Sequence, residues 1–368
     1  MLTDQLTLLR VKRFLPLFVA QFLGAFNDNV FKNGYVIMIT YSIISGLSMS
    51  AELVITIAAG LFILPYFLFS ALAGQLADKF DKAALIRYTK IAEIIIMIIG
   101  AIGFYLHNNT LLLSVLFLLG TQATFFGPMK YSILPDHLEQ EELIPGNALI
   151  EAGTYLAILL GMMLGGILAM FSIGPLLVSI TTIIFAIAGY VGSTYIPPSK
   201  IGDPNIKINP NIIAETYRII EYSYHSGGDL FLSILGISWF WLVGSVYIAQ
   251  IPTFAKDVLG AESSVVTLFL ISFTVGIALG SLFCNYLLRG RINATYVPIA
   301  ALFMSIFAID LVFVSYHVPT AHGELLTMTA FLSSFSSWRL LFDLIMLTFS
   351  GGIYIVPLYA MLQYHSDE

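Results

Sequence analysis

Phe26-Asn27-Asp28-Asn29-Val30-Phe31-Lys32-Asn33 interrupts an otherwise apolar stretch that runs from Phe14 to about Ile44. The stretch is longer than the ~20 residues that a helix needs to cross a bilayer. An acid and a base near its middle cost about 2.5–3.5 kcal/mol each on insertion scales. We therefore expect Asp28 and Lys32 to face a protein interior or a wet cavity rather than lipid. This placement indicates that the chain moves something through a membrane.

The composition is that of an integral membrane protein. Of the 368 residues, 58% are hydrophobic and 10% are charged, and the mean hydropathy is +0.90. Soluble proteins average about 25% charged residues. The single cysteine, Cys284, excludes an internal disulfide, and six scattered histidines do not suggest a metal site. We expect no metal, no cofactor and no nucleic-acid partner, and no catalytic constellation indicates an enzyme.

Ten apolar segments are each long enough for a spanning helix. In lipid only a helix satisfies all its backbone hydrogen bonds within one segment, so an all-α membrane protein is expected. The segments are roughly 14–45, 53–77, 84–106, 110–134, 147–170, 174–195, 230–255, 264–288, 294–316 and 340–362.

The basic residues predict the orientation of the chain. If the N-terminus is cytoplasmic, all of the 16 Lys and Arg residues except Lys32, Lys256 and Arg339 lie on the inner side. Basic residues are enriched in cytoplasmic loops, so this asymmetry favours a cytoplasmic N-terminus.

A polar linker at 197–229 divides an N-terminal six-helix half, 1–196, from a C-terminal half, 230–368, with four segments. Parallel halves joined by a long central loop are typical of the major facilitator architecture, which has about six helices in each half. We therefore expect a major facilitator-type helical bundle with about ten transmembrane helices present of twelve. The missing helices would follow Glu368, so the chain would be a piece of a longer protein.

The turn after the second segment, Gly74-Gln75-Leu76-Ala77-Asp78-Lys79-Phe80-Asp81-Lys82, resembles the loop signature of the major facilitator family. Glycine permits close helix approach, the first acid can bond a helix end, and the bases would hold a gate shut. The alternative is an ordinary basic turn. Asp81, the second acid of the turn, stands where the family often has glycine. The gating residues are Gly74, Asp78, Lys79, Asp81 and Lys82.

Asp28 and Lys32 are four residues apart, so on a helix they share a face. In the functional interpretation Asp28 contacts a cation or a polar headgroup, with Lys32 as an exchangeable partner. The alternative is a structural ion pair that holds the first segment to its neighbours. Further candidates for substrate or ion binding are Asn27, Asn29, Lys130, Glu151, Tyr247 and Gln250.

Three of these further candidates have a structural alternative. Lys130 could snorkel to the membrane surface, Glu151 could stabilise a helix N-terminus, and Tyr247 could belong to an aromatic belt. Glu93 and Asp310 could pair across the bundle or line a cavity. The glycine pairs Gly161/Gly165 and Gly276/Gly280 predict helix-packing faces.

Several blocks together resemble the lysophospholipid transporter family of the major facilitator superfamily. They are Ala20–Asn29, Phe126–Leu134, Asn147–Ala152, Ala157–Gly161 and Gly351–Tyr359. The stretch from Ser238 to Gly260 is more similar to members fused to a lysophospholipid acyltransferase and an acyl-carrier-protein (ACP) synthetase. Stand-alone members tend to carry an arginine where this chain reads Tyr247-Ile248-Ala249-Gln250.

The resemblance implies inward flipping of lysophospholipids, chiefly lysophosphatidylethanolamine, across a bacterial inner membrane for reacylation. The expected partners are the lysophospholipid substrate, membrane lipids and a lysophospholipid acyltransferase/acyl-ACP synthetase, fused or separate. Na⁺ or H⁺ could couple through Asp28. Two alternatives remain open: a major facilitator exporter of drugs or other amphiphiles, and the membrane portion of a bifunctional acyl-ACP synthetase/lysophospholipid acyltransferase.

Overall fold

The computed structural model describes residues 2–40, 50–202, 205–225, 227–317 and 325–365. Within these residues the secondary structure is helical, apart from an isolated bridge between Ala261 and Leu326. The expected all-α class is confirmed. Eleven helices have 14 or more residues: α1 Leu15–Thr40, α2 Ala51–Lys79, α3 Lys82–Tyr105, α4 Asn109–Ser132, α5 Leu143–Ala169, α6 Gly174–Thr194, α7 Ile212–His225, α8 Gly228–Thr253, α9 Ser263–Leu288, α10 Val297–Ser315 and α11 Phe335–His365. Shorter helical turns are Leu2–Thr7, Leu8–Arg10, Leu134–His137, Gln140–Glu142, Phe254–Val258 and Met328–Leu332.

The count of ten apolar spans needs correction. In the part of the chain that the structure describes, eight helices are long and apolar enough to cross a membrane: α2, α4, α5, α6, α8, α9, α10 and α11. The first and third predicted segments form α1 and α3, which are not among the eight. Both have the length of a span, at 26 and 24 residues. Each carries at least one acid and one base in its interior, and α1 also carries Asn27, Asn29 and Asn33.

The chain forms two compact units. The first unit comprises Thr7–Leu138 and Ala157–His225, and the second comprises Met1–Leu6, Glu139–Leu156 and Ser226–Glu368. Helix α5 therefore contributes its first part to the second unit and the remainder to the first. The division into halves at 1–196 and 230–368 stays a prediction.

Each unit has its own core. In the first unit α6 packs against α1 and α3, and α4 packs against α2 and α3. Phe31, Tyr35, Met97 and Phe104 are fully or almost fully buried between these helices. In the second unit α11 packs against α8, α9 and α10 and buries most of its length.

The glycine pairs lie at close helix crossings, as predicted. A Cβ atom at Gly161 or Gly165 would overlap the backbone carbonyl oxygens of Phe26 or Val30 on α1. In the second unit a Cβ at Gly280 would overlap the Phe349 carbonyl of α11, and Gly276 lies equally close to that helix. Small residues at these positions let the backbones approach each other, which is how helices associate in lipid.

We expect Gly161→Ala to lower the stability of the protein by about 1–3 kcal/mol, because the new methyl group needs α1 and α5 to separate. Gly60→Ala is the matched control, since no atom lies within 4 Å of a Cβ at Gly60. Thermal unfolding of the purified protein in detergent measures the difference. Equal unfolding temperatures for the two variants would contradict the packing argument.

Candidate functional site

A buried polar cluster lies inside the first unit, where α1, α3 and α4 come together. We call it the buried charged cluster, and it consists of Asn27, Asp28, Lys90, Glu93 and Gln122 together with the half-buried Lys32. Lys90 and Glu93 are 0% exposed. Since an isolated buried charge is very costly, the arrangement of partners within this cluster decides what it can do.

Glu93 is the most completely paired acid of the cluster. The Lys90 ammonium donates to Glu93 Oε2 at 2.7 Å, and Asn27 Nδ2 donates to Oε1 at 2.9 Å. Gln122 Nε2 lies 3.4 Å from Oε2 on the other side. Three donors from three helices therefore hold one carboxylate, which answers the question that the sequence left open for Glu93: it pairs across the bundle.

Lys90 fits because the surrounding side chains leave room for it. A Cβ at Gly24 would overlap the Lys90 ammonium, so a larger residue there would displace the ammonium from its present position. The ammonium also lies over the Phe126 ring, 4.9 Å from the centroid, in cation–π geometry. Sequence reasoning did not single out Lys90 or Gln122. The signal was present, because Lys90 and Glu93 form an i, i+3 pair of opposite charges inside an apolar segment.

Asp28 is buried but incompletely satisfied. Its side chain is 8% exposed, and Oδ1 has no hydrogen-bond partner. Among the described residues, no Lys or Arg nitrogen lies within 4.0 Å of its carboxylate. The Lys32 ammonium lies over the Phe62 ring instead, 4.9 Å from the centroid. The expected direct pair between Asp28 and Lys32 is therefore not formed in this structure, although both side chains belong to one cluster.

The other predicted residues of the first unit lie in different surroundings. Asn29 is buried, and its Nδ2 donates to the Ala25 carbonyl one turn earlier at 2.7 Å. Lys130 is 9% exposed, with its ammonium 4.5 Å from the centroid of the Tyr131 ring. Lys130 is thus buried against the protein and does not extend freely to the surface.

The second unit contains a set of neutral polar pairs beside Glu151, which is 0% exposed. Asn147 and Gln363 exchange two amide hydrogen bonds, at 2.6 and 3.0 Å. Trp241 Nε1 donates to the Tyr359 hydroxyl at 2.8 Å. These bonds join the first part of α5 to α11, and α8 to α11. Glu151 lies inside the unit, one turn beyond Asn147.

Tyr247 and Gln250, both on α8, are placed differently from one another. Tyr247 lines a small apolar pocket together with Phe240, Phe273 and Met304. Gln250 is exposed. Of the two, only Tyr247 faces a recess within the second unit.

Two further acidic residues lie in this unit, and sequence reasoning missed one of them, Asp343. Asp310 accepts from the Arg339 guanidinium at 2.7 and 2.9 Å, which identifies Asp310 as one half of a pair between α10 and α11. Asp343, one turn after Arg339, is 1% exposed, and its Oδ2 has no hydrogen-bond partner. Like Asp28, Asp343 is a buried carboxylate with one oxygen that has no hydrogen-bond partner. Its spacing from Arg339, i, i+4, was the available signal.

The predicted gating turn is held by the linker. Asp81 caps α3 by accepting from Ala83 N at 3.0 Å, and it also accepts from the backbone N and the hydroxyl of Ser199 at 2.9 and 2.8 Å. Lys79 donates to the Ile206 carbonyl at 2.7 Å. Lys82 pairs with Asp136 at 2.8 Å. The turn is therefore tied to two other segments of the first unit.

Two details of this turn differ from expectation. No atom lies within 4 Å of a Cβ at Gly74, so the close helix approach expected there does not occur in this structure. The tight contact is instead at Gly202 in the linker, where a Cβ would overlap the Asp78 carbonyl. The side chain of Asp78 itself is exposed. The sequence does not show where the linker packs. In the structure it is the linker, at Gly202, that makes the close backbone contact with the turn.

The pKa of Asp81 reflects these contacts. Partial burial raises the pKa, but the hydrogen bonds from Ser199 and Ala83 and the nearby Arg87 guanidinium outweigh it, so the pKa lies below its ordinary value. The ionised form of Asp81 therefore stabilises the folded turn.

The family of the protein follows from its fold and from comparison with known proteins. The family sequence model of the Major Facilitator Superfamily matches residues 17–368, so the chain belongs to this superfamily. A bacterial homologue of the iron transporter ferroportin has a TM-score of 0.65 at 14% identity, covering 96% of this chain and 84% of that one. The proton:xylose symporter XylE has a TM-score of 0.64 at 14% identity, covering 95% and 81%. Both similarities concern the fold.

Within the superfamily, the chain is similar to proteins named lysophospholipid transporter LplT. The protein of Escherichia coli O1:K1 is 27% identical over 347 residues, which cover 94% of this chain and 78% of that protein. The protein of Serratia proteamaculans is 26% identical over 274 residues, covering 73% of this chain and 65% of that protein, slightly less than two thirds. The resemblance to the lysophospholipid transporters is confirmed. The closer similarity to fused members stays a prediction.

We expect Lys90→Met to destabilise the protein by about 3–5 kcal/mol, because it leaves the Glu93 carboxylate buried without its cation. The double variant Lys90→Met/Glu93→Gln should recover most of that loss, since neither charge remains. Thermal unfolding of the single and double variants in detergent measures the coupling. If the stability losses of the two substitutions simply added, Lys90 and Glu93 would not stabilise the protein as a coupled pair.

Asp81→Asn should lower the unfolding temperature near neutral pH and have progressively less effect in acid. The folded-state pKa is lowered, so the stability that Asp81 contributes is present above its ordinary pKa and is lost as the pH falls through the folded value. Unfolding is measured from about pH 7 down to about pH 3, below the ordinary carboxyl range. Asp257→Asn, at an exposed carboxylate, is the control. A difference that persists unchanged into acid would contradict the assignment.

Proposed function

We propose that this multi-pass membrane transporter flips lysophospholipids, of the lysophosphatidylethanolamine type, inward across a bacterial inner membrane. The support is the similarity over most of the chain to proteins named lysophospholipid transporters. A further support is chemical. A zwitterionic headgroup needs both an acceptor and a cation, and α1 supplies Asp28 and Lys32 one helical turn apart.

The observation that carries the proposal is the unsatisfied carboxylate oxygen of Asp28. A buried acceptor without a partner costs free energy, so its retention inside a transporter indicates a ligand that completes it. The ammonium of a phosphoethanolamine headgroup has the charge and the donors for this role. Lys32, whose ammonium rests on Phe62 rather than in an ion pair, is the group that would contact the phosphate. The acyl tail would stay against apolar walls or in lipid.

Asp28 is also the proposed coupling site. A carboxylate with a free oxygen can take up H⁺ or a Na⁺ ion, and either would neutralise it when the headgroup leaves. The turn formed by Gly74, Asp78, Lys79, Asp81 and Lys82 would serve as the gate, with Asp81 and Lys79 bonded to the linker in the state described.

The proposed orientation has the N-terminus in the cytoplasm, which the distribution of Lys and Arg supports. Lysophospholipid delivered to the inner leaflet would be reacylated there. The proposed partner is therefore a lysophospholipid acyltransferase/acyl-ACP synthetase, fused or separate.

We expect Asp28→Asn to abolish lysophospholipid flipping while the protein still folds, because the amide keeps the shape and removes the charge. The measurement is uptake of fluorescent lysophosphatidylethanolamine by the complete protein in proteoliposomes. Asp257→Asn, the same chemical change at an exposed site, should transport normally. Full activity of Asp28→Asn would overturn the site.

The same vesicles separate the proposed substrate from the alternative. A cationic amphiphile without a phosphate group tests for an exporter of drugs or other amphiphiles. Transport of that amphiphile and not of lysophosphatidylethanolamine would replace the proposed function, whatever the effect of Asp28→Asn.

A further inference from the structure

Helix α7, in the linker, exposes an apolar stripe. Ile213, Tyr217, Ile220 and Tyr224 are 83%, 69%, 54% and 66% exposed. Their spacing of i, i+4, i+7 and i+11 places all four on one face of the helix. A helix of a soluble protein would turn such a face toward its core.

The two residues of α7 that are buried against the protein are polar, although Ile219 and Tyr222, outside the stripe, are also exposed. Glu215 is 1% exposed and Ser223 is 5% exposed. Glu215 accepts hydrogen bonds from Asn209 and Arg218, at 3.2 and 2.5 Å. The helix therefore attaches through buried polar groups, while the four residues of the stripe are largely exposed.

The attachment point fixes where the stripe lies. Asn209, just before α7, exchanges two hydrogen bonds with Gln75, at 2.7 and 3.2 Å. Gln75 lies in the last turns of α2, whose spanning part is Leu53–Lys79, and α7 itself packs against α2. The start of α7 is thus located beside the end of the candidate span of α2, and the end of a span is where the hydrocarbon core gives way to headgroups.

We propose that α7 lies in the membrane interface, with its apolar stripe inserted at the boundary between headgroups and acyl chains. The partner is the lipid surface of the bilayer that surrounds the spanning helices. Isoleucine side chains enter the acyl region, and tyrosine rings with their hydroxyl groups suit the headgroup level. Arg218 and His225, on the flank of the helix, remain in water.

The interfacial helix has a consequence for the gating turn. Ser199, Ile206 and Asn209 of the linker bond Asp81, Lys79 and Gln75, all within the stretch that leads into α7. A helix anchored in the lipid surface holds this stretch against the turn. The inference concerns the linker and does not depend on the transported substrate.

Spin labels on single cysteines test the position of α7. Ile220→Cys and Ala214→Cys are prepared in the full chain and placed in nanodiscs of phosphatidylethanolamine and phosphatidylglycerol. Ala214 is exposed and lies toward the Arg218 flank, so it is the matched control. The natural cysteine, Cys284, is buried and is retained.

We expect the label at Ile220 to collide with dissolved oxygen several-fold more often, relative to a water-soluble nickel complex, than the label at Ala214. Equal, water-like ratios at both positions would overturn the proposal. A label at Ile220 that is immobilised and shielded from both reagents would also overturn it, because protein rather than lipid would then cover the stripe.

Discussion

The free energy of removing charges from water is the constraint on which the first unit depends. Lys90 and Glu93 are fully buried, and such a pair is tolerated only when its remaining donors and acceptors are satisfied. Asn27 from α1 and Gln122 from α4 complete the carboxylate. This requirement fixes the relative positions of α1, α3 and α4 more specifically than apolar contact can, since lipid is as apolar as the side chains.

The buried polar groups are of two kinds: those whose hydrogen bonds are satisfied by a partner, and those that keep an atom without one. The amide pair Asn147–Gln363 and the Trp241–Tyr359 bond satisfy one another and serve packing in the second unit. Asp28 and Asp343 each keep an oxygen without a partner. A buried acceptor without a partner is destabilising for the protein alone, which is why Asp28 is the basis of the proposed site.

The linker is a structural part of the first unit. Its early residues bond Asp81 and Lys79, and Gly202 lies against the Asp78 backbone. These bonds couple the linker to the predicted gating turn in the state described. The exposed apolar stripe of α7 then joins the same segment to its lipid surroundings.

The sequence by itself determined the helical membrane class, the burial of Asp28 and the glycine crossings at Gly161 and Gly280. These follow from local composition, because lipid excludes unpaired backbone groups and unpaired charges wherever they occur along the chain. The resemblance to the superfamily was likewise recognisable from short blocks of sequence.

Tertiary structure alone decided which groups meet. Lys32 lies over Phe62 instead of pairing with Asp28, Asn27 and Gln122 converge on Glu93, and the close approach expected at Gly74 occurs at Gly202. Spacing along a helix shows which side chains share a face. It does not show what a neighbouring helix, distant in the chain, presents to that face, and the free energy of a buried charge depends on that neighbour.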